Sequence, residues 1–149
     1  MNELFNTSFE IGLRAMLILS IDRSNGMTID RISAYDFIII YGKAFEVSKQ
    51  NLHGNNSFSF SELSTKRALC SEGVKQLVLD GLITVIRTSG GFLYRLTTKG
   101  RILIDLLESD YKEQYLEIAK ETRDKYDLKS DFSVLKEINE KAIQALRRQ

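Results

Sequence analysis

GVKQLVLDGLITVIRTSGGFLYRLTTKG, residues 73–100, changes its period twice, and the two changes decide the fold. Up to position 80, Val74, Leu77 and Val78 recur at helical spacing, and Gly81 supplies the left-handed residue at which a helix can stop. From 82 to 97 the spacing becomes two. Ile83 and Val85 precede the turn sequence Thr88-Ser89-Gly90-Gly91, and Phe92, Tyr94 and Leu96 follow it, which predicts a β-hairpin. Thr97 and Thr98 then offer caps for another helix from about Lys99, with Ile102, Leu103, Leu106 and Leu107 on its buried side. Leu77, Leu82 and Ile83 are expected to close the first helix onto the hairpin, and Tyr94 with Leu96 to return the second strand to the core.

Outward from this stretch the pattern is helical. Leu63, Ala68, Leu69, Val74, Leu77, Val78 and Leu82 form one face of the preceding helix, with Ser61 or Ser64 as its cap. Residues 42–61 before it are polar, and their apolar positions hold no single period. They predict an ordered but exposed loop, and a loop of this length in a compact domain points to function. Ile29, Ile32, Tyr35, Phe37, Ile39 and Ile40 predict a helix over 28–41 after a Ser-Asn-Gly turn at 24–26. Phe9, Leu13, Met16, Leu17 and Ile21 predict another over 7–21, with Ser8 as its N-cap. Downstream, the helical pattern breaks at Ser109-Asp110 and resumes through Tyr111, Tyr115, Ile118, Ala119 and Thr122. A last amphipathic stretch sets Leu135, Ile138, Ala142, Ala145 and Leu146 on one face.

At 149 residues, 43% hydrophobic and 28% charged, the chain has the size of one core with an appendage. Its formal charge is only +1, and the balance is local as well as global. Up to Asp110 there are 12 basic and 12 acidic residues, and beyond it 9 and 8. Proteins that grip nucleic acid through phosphates tend to be strongly basic, so neither half is a concealed basic module. The most apolar runs, 11–21 and 37–41, are too short to cross a bilayer, and residues 1–8 do not have the basic-then-apolar order of a secretory signal. A cytoplasmic location is expected. Cys70, the single cysteine, reads as a small buried apolar residue in a helix.

Helix, hairpin and helix in the order of residues 73–100 resemble winged-helix domains, and the fold class expected is therefore α+β, mainly α. It is a winged helix-turn-helix over 1–110 with a helical extension over 111–149. A closer resemblance rests on LFNTSFEIGLRAMLILS (4–20), IDRISAYDFIIIY (29–41), NLH (51–53) and SELSTKRALCSEGVKQLVLDGLI (61–83). Together they are similar to the middle component of bacterial three-component ABC systems over roughly residues 4–115. That resemblance implies a winged-helix adaptor encoded beside an ABC-type ATPase and an effector, in a conflict or anti-phage operon. The sequence departs from the family pattern at Leu52-His53, where no proline stiffens the loop.

For catalysis the residues offer little. His53 and Cys70 lie in different elements, and no His, Cys or carboxylate spacing suits zinc. His53 with Ser57 or Ser59 and Asp36 lacks any nucleophile elbow or oxyanion hole. No enzymatic activity, cofactor or metal is expected, and His53 reads as a loop residue bonded to backbone. Two binding readings remain. A DNA-binding regulator would use Ser64, Thr65, Lys66, Arg67, Lys75, Arg87 and Arg95, opposed by Glu62, Glu72 and Asp80 on the same helix. An adaptor would use the 42–61 loop, including Leu52 and His53, and the tail face Leu135, Ile138, Ala142 and Leu146, with the ATPase and effector as partners. Packing of that tail onto its own chain, or a homodimer through it, are the pattern's other outcomes.

Overall fold

A computed structural model describes residues 7–54 and 60–147, apart from the side chains at positions 60, 61, 145 and 146. In chain order it contains helices α1 (Ser8–Ser20), α2 (Ile29–Ile40) and α3 (Phe60–Leu79), strands β1 (Ile83–Thr88) and β2 (Gly91–Leu96), and helices α4 (Thr98–Leu106), α5 (Asp110–Tyr126) and α6 (Asp131–Arg147). The architecture is α+β and mainly helical. Four helices start at a hydroxyl cap. Thr7, Thr28, Thr97 and Ser109 accept a hydrogen bond from the backbone N–H three residues on. Thr7 rather than Ser8 caps α1. Helix α3 begins at Phe60, so Ser64 lies inside it.

Helices α1 and α2 form the centre. Nearly every residue of α1 from Ile11 to Leu19 is buried, and so is every residue of α2 from Ile32 to Ile40. Neither is the one-sided helix that its apolar spacing predicts, because α3, α4 and α5 pack around α1 while α3, α5 and α6 pack around α2. Phe9, expected on the buried face of α1, is exposed at the end of the helix. Helix α1 lies very close to α3. A Cβ on Gly73 would collide with the Ser8 carbonyl oxygen and come within 3.2 Å of the Gly12 Cα.

The hairpin follows from residues 73–100 as read. Gly81, at φ 77°, ends α3, with Leu82 N–H donating to the Leu77 carbonyl at 2.9 Å and Gly81 N–H to the Val78 carbonyl at 3.1 Å. Strands β1 and β2 pair antiparallel from Ile83 opposite Leu96 to Thr88 opposite Gly91. Met27 adds one bridge to the outer edge of β2 through both of its hydrogen bonds with Tyr94.

The face expected of α4 is overturned. In α4 the inward residues are Gly100 and Ile104, with Leu103 half-buried, whereas Ile102, Leu106 and Leu107 are exposed. Gly100 sits against the Leu82 carbonyl, and this contact fixes which side of α4 faces in. Residues 42–54 are also less open than a polar loop suggests. Phe45 is fully buried against Phe37, at 6.2 Å between ring centroids, and Val47 is buried too.

One core cluster runs through all six helices and continues across residue 110, taking in Tyr115, Ala119, Tyr126, Val134 and Ile138. Among the described residues no helix is long and apolar enough to cross a membrane.

Candidate functional site

The tail is part of the body. Ile138 and Ala142, expected to meet a partner helix, are 1% and 4% exposed within this chain, and Leu135 is half-buried against the core. The Leu146 side chain lies outside the described residues. Arg31 on α2 holds the α5–α6 corner. Its guanidinium donates to Asp131 Oδ1 at 2.7 Å, to the Tyr126 carbonyl at 3.1 Å and to the Lys129 carbonyl. A cation here meets the carbonyls at the C-terminal end of α5, where the helix dipole favours it. Tyr35 donates to Asp127 at 2.6 Å, and Tyr126 donates to Glu137.

Inside, a polar chain crosses the core. Arg14 donates twice to Asp36, at 2.8 and 3.1 Å, and Tyr115 donates to the same carboxylate at 2.5 Å. Burial alone would raise the Asp36 carboxyl, but the charges of Arg14 and Lys66 and the hydrogen bonds from Arg14 and Tyr115 hold it below the usual carboxylate range. Tyr111 stacks on Tyr115 and meets His53 Nε2 through its hydroxyl at 2.6 Å. His53 is thus tied to a tyrosine of α5. Burial first, and then the Arg14 charge, push the imidazole down to about 4. Burial raises the Cys70 thiol to about 12, so it stays protonated at neutral pH. Asp36 is saturated by its partners, and Ser57 and Ser59 lie outside the described residues. The chain of groups ties α1, α2 and α5 to one another across the core. Among the described residues no cluster of His, Cys, Asp or Glu suits a metal ion.

Of the seven residues expected to contact nucleic acid, six are exposed and Lys66 is not. Lys66 is turned inward, 3% exposed, with its ammonium 3.8 Å from a Glu62 oxygen and 5.9 Å from the Tyr41 ring centroid. The reason is spacing: Leu63, Lys66, Cys70, Val74 and Leu77 share the inner side of α3, and Ala68, expected there, is exposed. Arg67 is exposed but paired with Asp30 at 2.5 Å, and Arg95 donates to Asn25 at 2.8 Å. Ser64 and Thr65 are exposed. Lys75 and Arg87 remain as exposed cations whose side chains make no ion pair among the described residues.

Lys75 belongs to an open apolar groove of about 420 Å³ between the C-terminal half of α3 and the hairpin, lined by Lys75, Val78, Leu79, Val85, Phe92 and Tyr94. The hairpin builds its wall by alternation. Ile83 pairs with Leu96 in the core, Val85 with Tyr94 in the groove, and Arg87 with Phe92 at the rim. Cross-strand partners and residues two apart share a face, so Arg87 stands beside the groove. Leu79 is 81% exposed, Phe92 53% and Val85 43%. The sequence reading missed Leu79 altogether and placed Phe92 in a strand without giving it a role. The available signal is the run Leu77-Val78-Leu79, because three consecutive apolar residues cannot all occupy the inner side of one helix.

Compared with known proteins, residues 4–148 match a family model described as ABC-three component (ABC-3C) system Middle Component 2. No curated protein and no solved structure gave a match.

Proposed function

Because the chain belongs to the ABC-three component (ABC-3C) system Middle Component 2 family, we propose that it is a non-enzymatic adaptor. It links an ABC-type ATPase to an effector of the same operon, in the cytoplasm, as part of a conflict or anti-phage system. Its scaffold is a winged helix over 1–110, in which the α3–hairpin pair is the outward surface, carrying 111–149 as an extension folded back onto the core. The exposed apolar groove at Leu79, Val85 and Phe92 carries this reading. Covering one such side chain completely returns roughly 1.5–3 kcal/mol, and exposed apolar surface grouped in one place marks an interaction site rather than a solvated face.

DNA contact is the competing reading, and Lys75 with Arg87 is what favours it. The apolar groove beside them, the carboxylates Glu72 and Asp80 on the same helix, and the ties of Arg67 to Asp30 and Arg95 to Asn25 favour a protein partner.

Co-expression with the ATPase and effector tests the choice. Affinity capture of this chain retains at least one of them, and Leu79→Asp with Phe92→Asp abolishes retention while leaving the melting temperature in place. Capture of neither protein, together with salt-sensitive DNA retention lost in Lys75→Ala with Arg87→Ala, would overturn the adaptor reading.

A further inference from the structure

The groove also specifies the chemistry of what occupies it. Resting on the adaptor reading above, we propose that its occupant is an apolar segment of a partner protein that carries aspartate or glutamate at the end facing Lys75 and Arg87.

The walls of the groove diverge from the turn at Gly81. Lys75 lines the groove from α3, and Arg87 stands on the hairpin face that carries Val85, directly across the strands from Phe92, so each wall presents one cation. The rest of the lining is apolar: Val78, Leu79, Val85 and Phe92, with Tyr94. An apolar anchor in that part is desolvated as Leu79 and Phe92 are covered. A charge next to the anchor then lies near the cation of one wall or the other. A carboxylate gains there, whereas a lysine or arginine meets like charge from either wall. Lys75 and Arg87 have no carboxylate partner within the described chain, so engaging one breaks no existing ion pair.

Two other ligand classes fit the groove less well. A small-molecule pocket encloses its ligand and aims a few polar groups into it; this groove is an open trough whose polar members stand at the rim. A nucleic-acid strand needs a run of cations along its backbone and flat rings beneath its bases, and here two cations accompany mostly aliphatic walls.

The experiment places p-benzoylphenylalanine at position 92, co-expresses the chain with the ATPase and effector, irradiates, and sequences the crosslinked segment by mass spectrometry. A segment of the ATPase or effector with apolar residues next to Asp or Glu is expected. In parallel, Lys75→Glu with Arg87→Glu weakens capture about tenfold or more at low salt, and lysines in place of the crosslinked segment's carboxylates restore it. A crosslinked segment without carboxylates, a crosslink to a second copy or to nucleic acid, or capture indifferent to the charge reversal overturns the acid-bearing occupant. The adaptor reading itself stands if Leu79→Asp with Phe92→Asp still abolishes capture. If that variant retains its partners and position 92 gives no crosslink, both fall.

Discussion

Helix α6 and the hairpin look alike as sequence, each alternating apolar and polar residues at its own period, yet the protein uses them in opposite ways. The face of α6 is covered by its own chain: Val134, Ile138 and Ala142 are buried, and Arg31, Asp131, Tyr126 and Glu137 bond across the margins. The hairpin buries Ile83 and Leu96 at its base and leaves Val85 and Phe92 open farther out. Amphipathicity therefore says that a face needs covering, but not which chain covers it. What separates the two regions is polar closure. The α5–α6 corner has its carbonyls and carboxylates satisfied by α2, whereas Lys75 and Arg87 at the groove make no ion pair among the described residues.

The sharpest way to test this contrast is to damage the inner side. Asp36→Ala removes the carboxylate that Arg14 and Tyr115 bond, leaving the buried guanidinium without its counter-charge. A loss of about 3–5 kcal/mol is expected from urea unfolding, a large part of a typical domain's stability. Arg14→Met combined with Asp36→Leu recovers most of it, and a double variant as unstable as Asp36→Ala would show that the pair does more than satisfy itself. Ile138→Ala comes next, at about 2–5 kcal/mol by the same measurement. A change near zero would mean that α6 is not part of the cooperative core.

A smaller effect concerns the segment joined to α5 through His53 and Tyr111. The folded imidazole titrates at about 4 against an ordinary 6.5. Between those values the unfolded chain binds a proton that the folded chain does not. Stability therefore falls as pH drops from about 6.5 toward 4 and is insensitive to His53 above that window. His53→Gln removes this component of the slope. Asp36 acts at lower pH, since its depressed titration gives stability that is lost only as the solution approaches that depressed value. Identical pH profiles for His53→Gln and the parent chain would contradict the buried setting of the imidazole.

The least effect on folding is expected at the groove. Leu79→Ser and Phe92→Ser each shift stability by about 0.5 kcal/mol or less, as exposed substitutions do, while partner retention drops. A loss of several kcal/mol at either position would show that the groove wall belongs to the core, and the contrast with α6 would collapse.

Local signals made much of the fold legible. Thr28, Thr97 and Ser109 mark helix starts through one hydroxyl and the N–H three residues on, Gly81 marks a stop through its left-handed φ, and the two-residue period marks the hairpin with its turn at 88–91. Each of these depends on neighbours a few residues apart. The candidate site was legible only in pieces. Lys75 and Arg87 stand out as cations, but nothing local tells them from Lys66, which the helix turns inward, or from Arg67 and Arg95, which distant Asp30 and Asn25 engage.

The sequence by itself determined the order and kind of the elements, because caps, turns and periodicity are settled within a few residues of chain. Only the tertiary structure decided which apolar faces are inside. In α4, Gly100 against Leu82 turns Ile104 inward and Ile102 and Leu106 outward, and in α6, Arg31 closes the corner that brings Ile138 home. An apolar side chain carries no record of its partner. Packing around α1 and α2 assigned those partners and left Leu79, Val85 and Phe92 exposed.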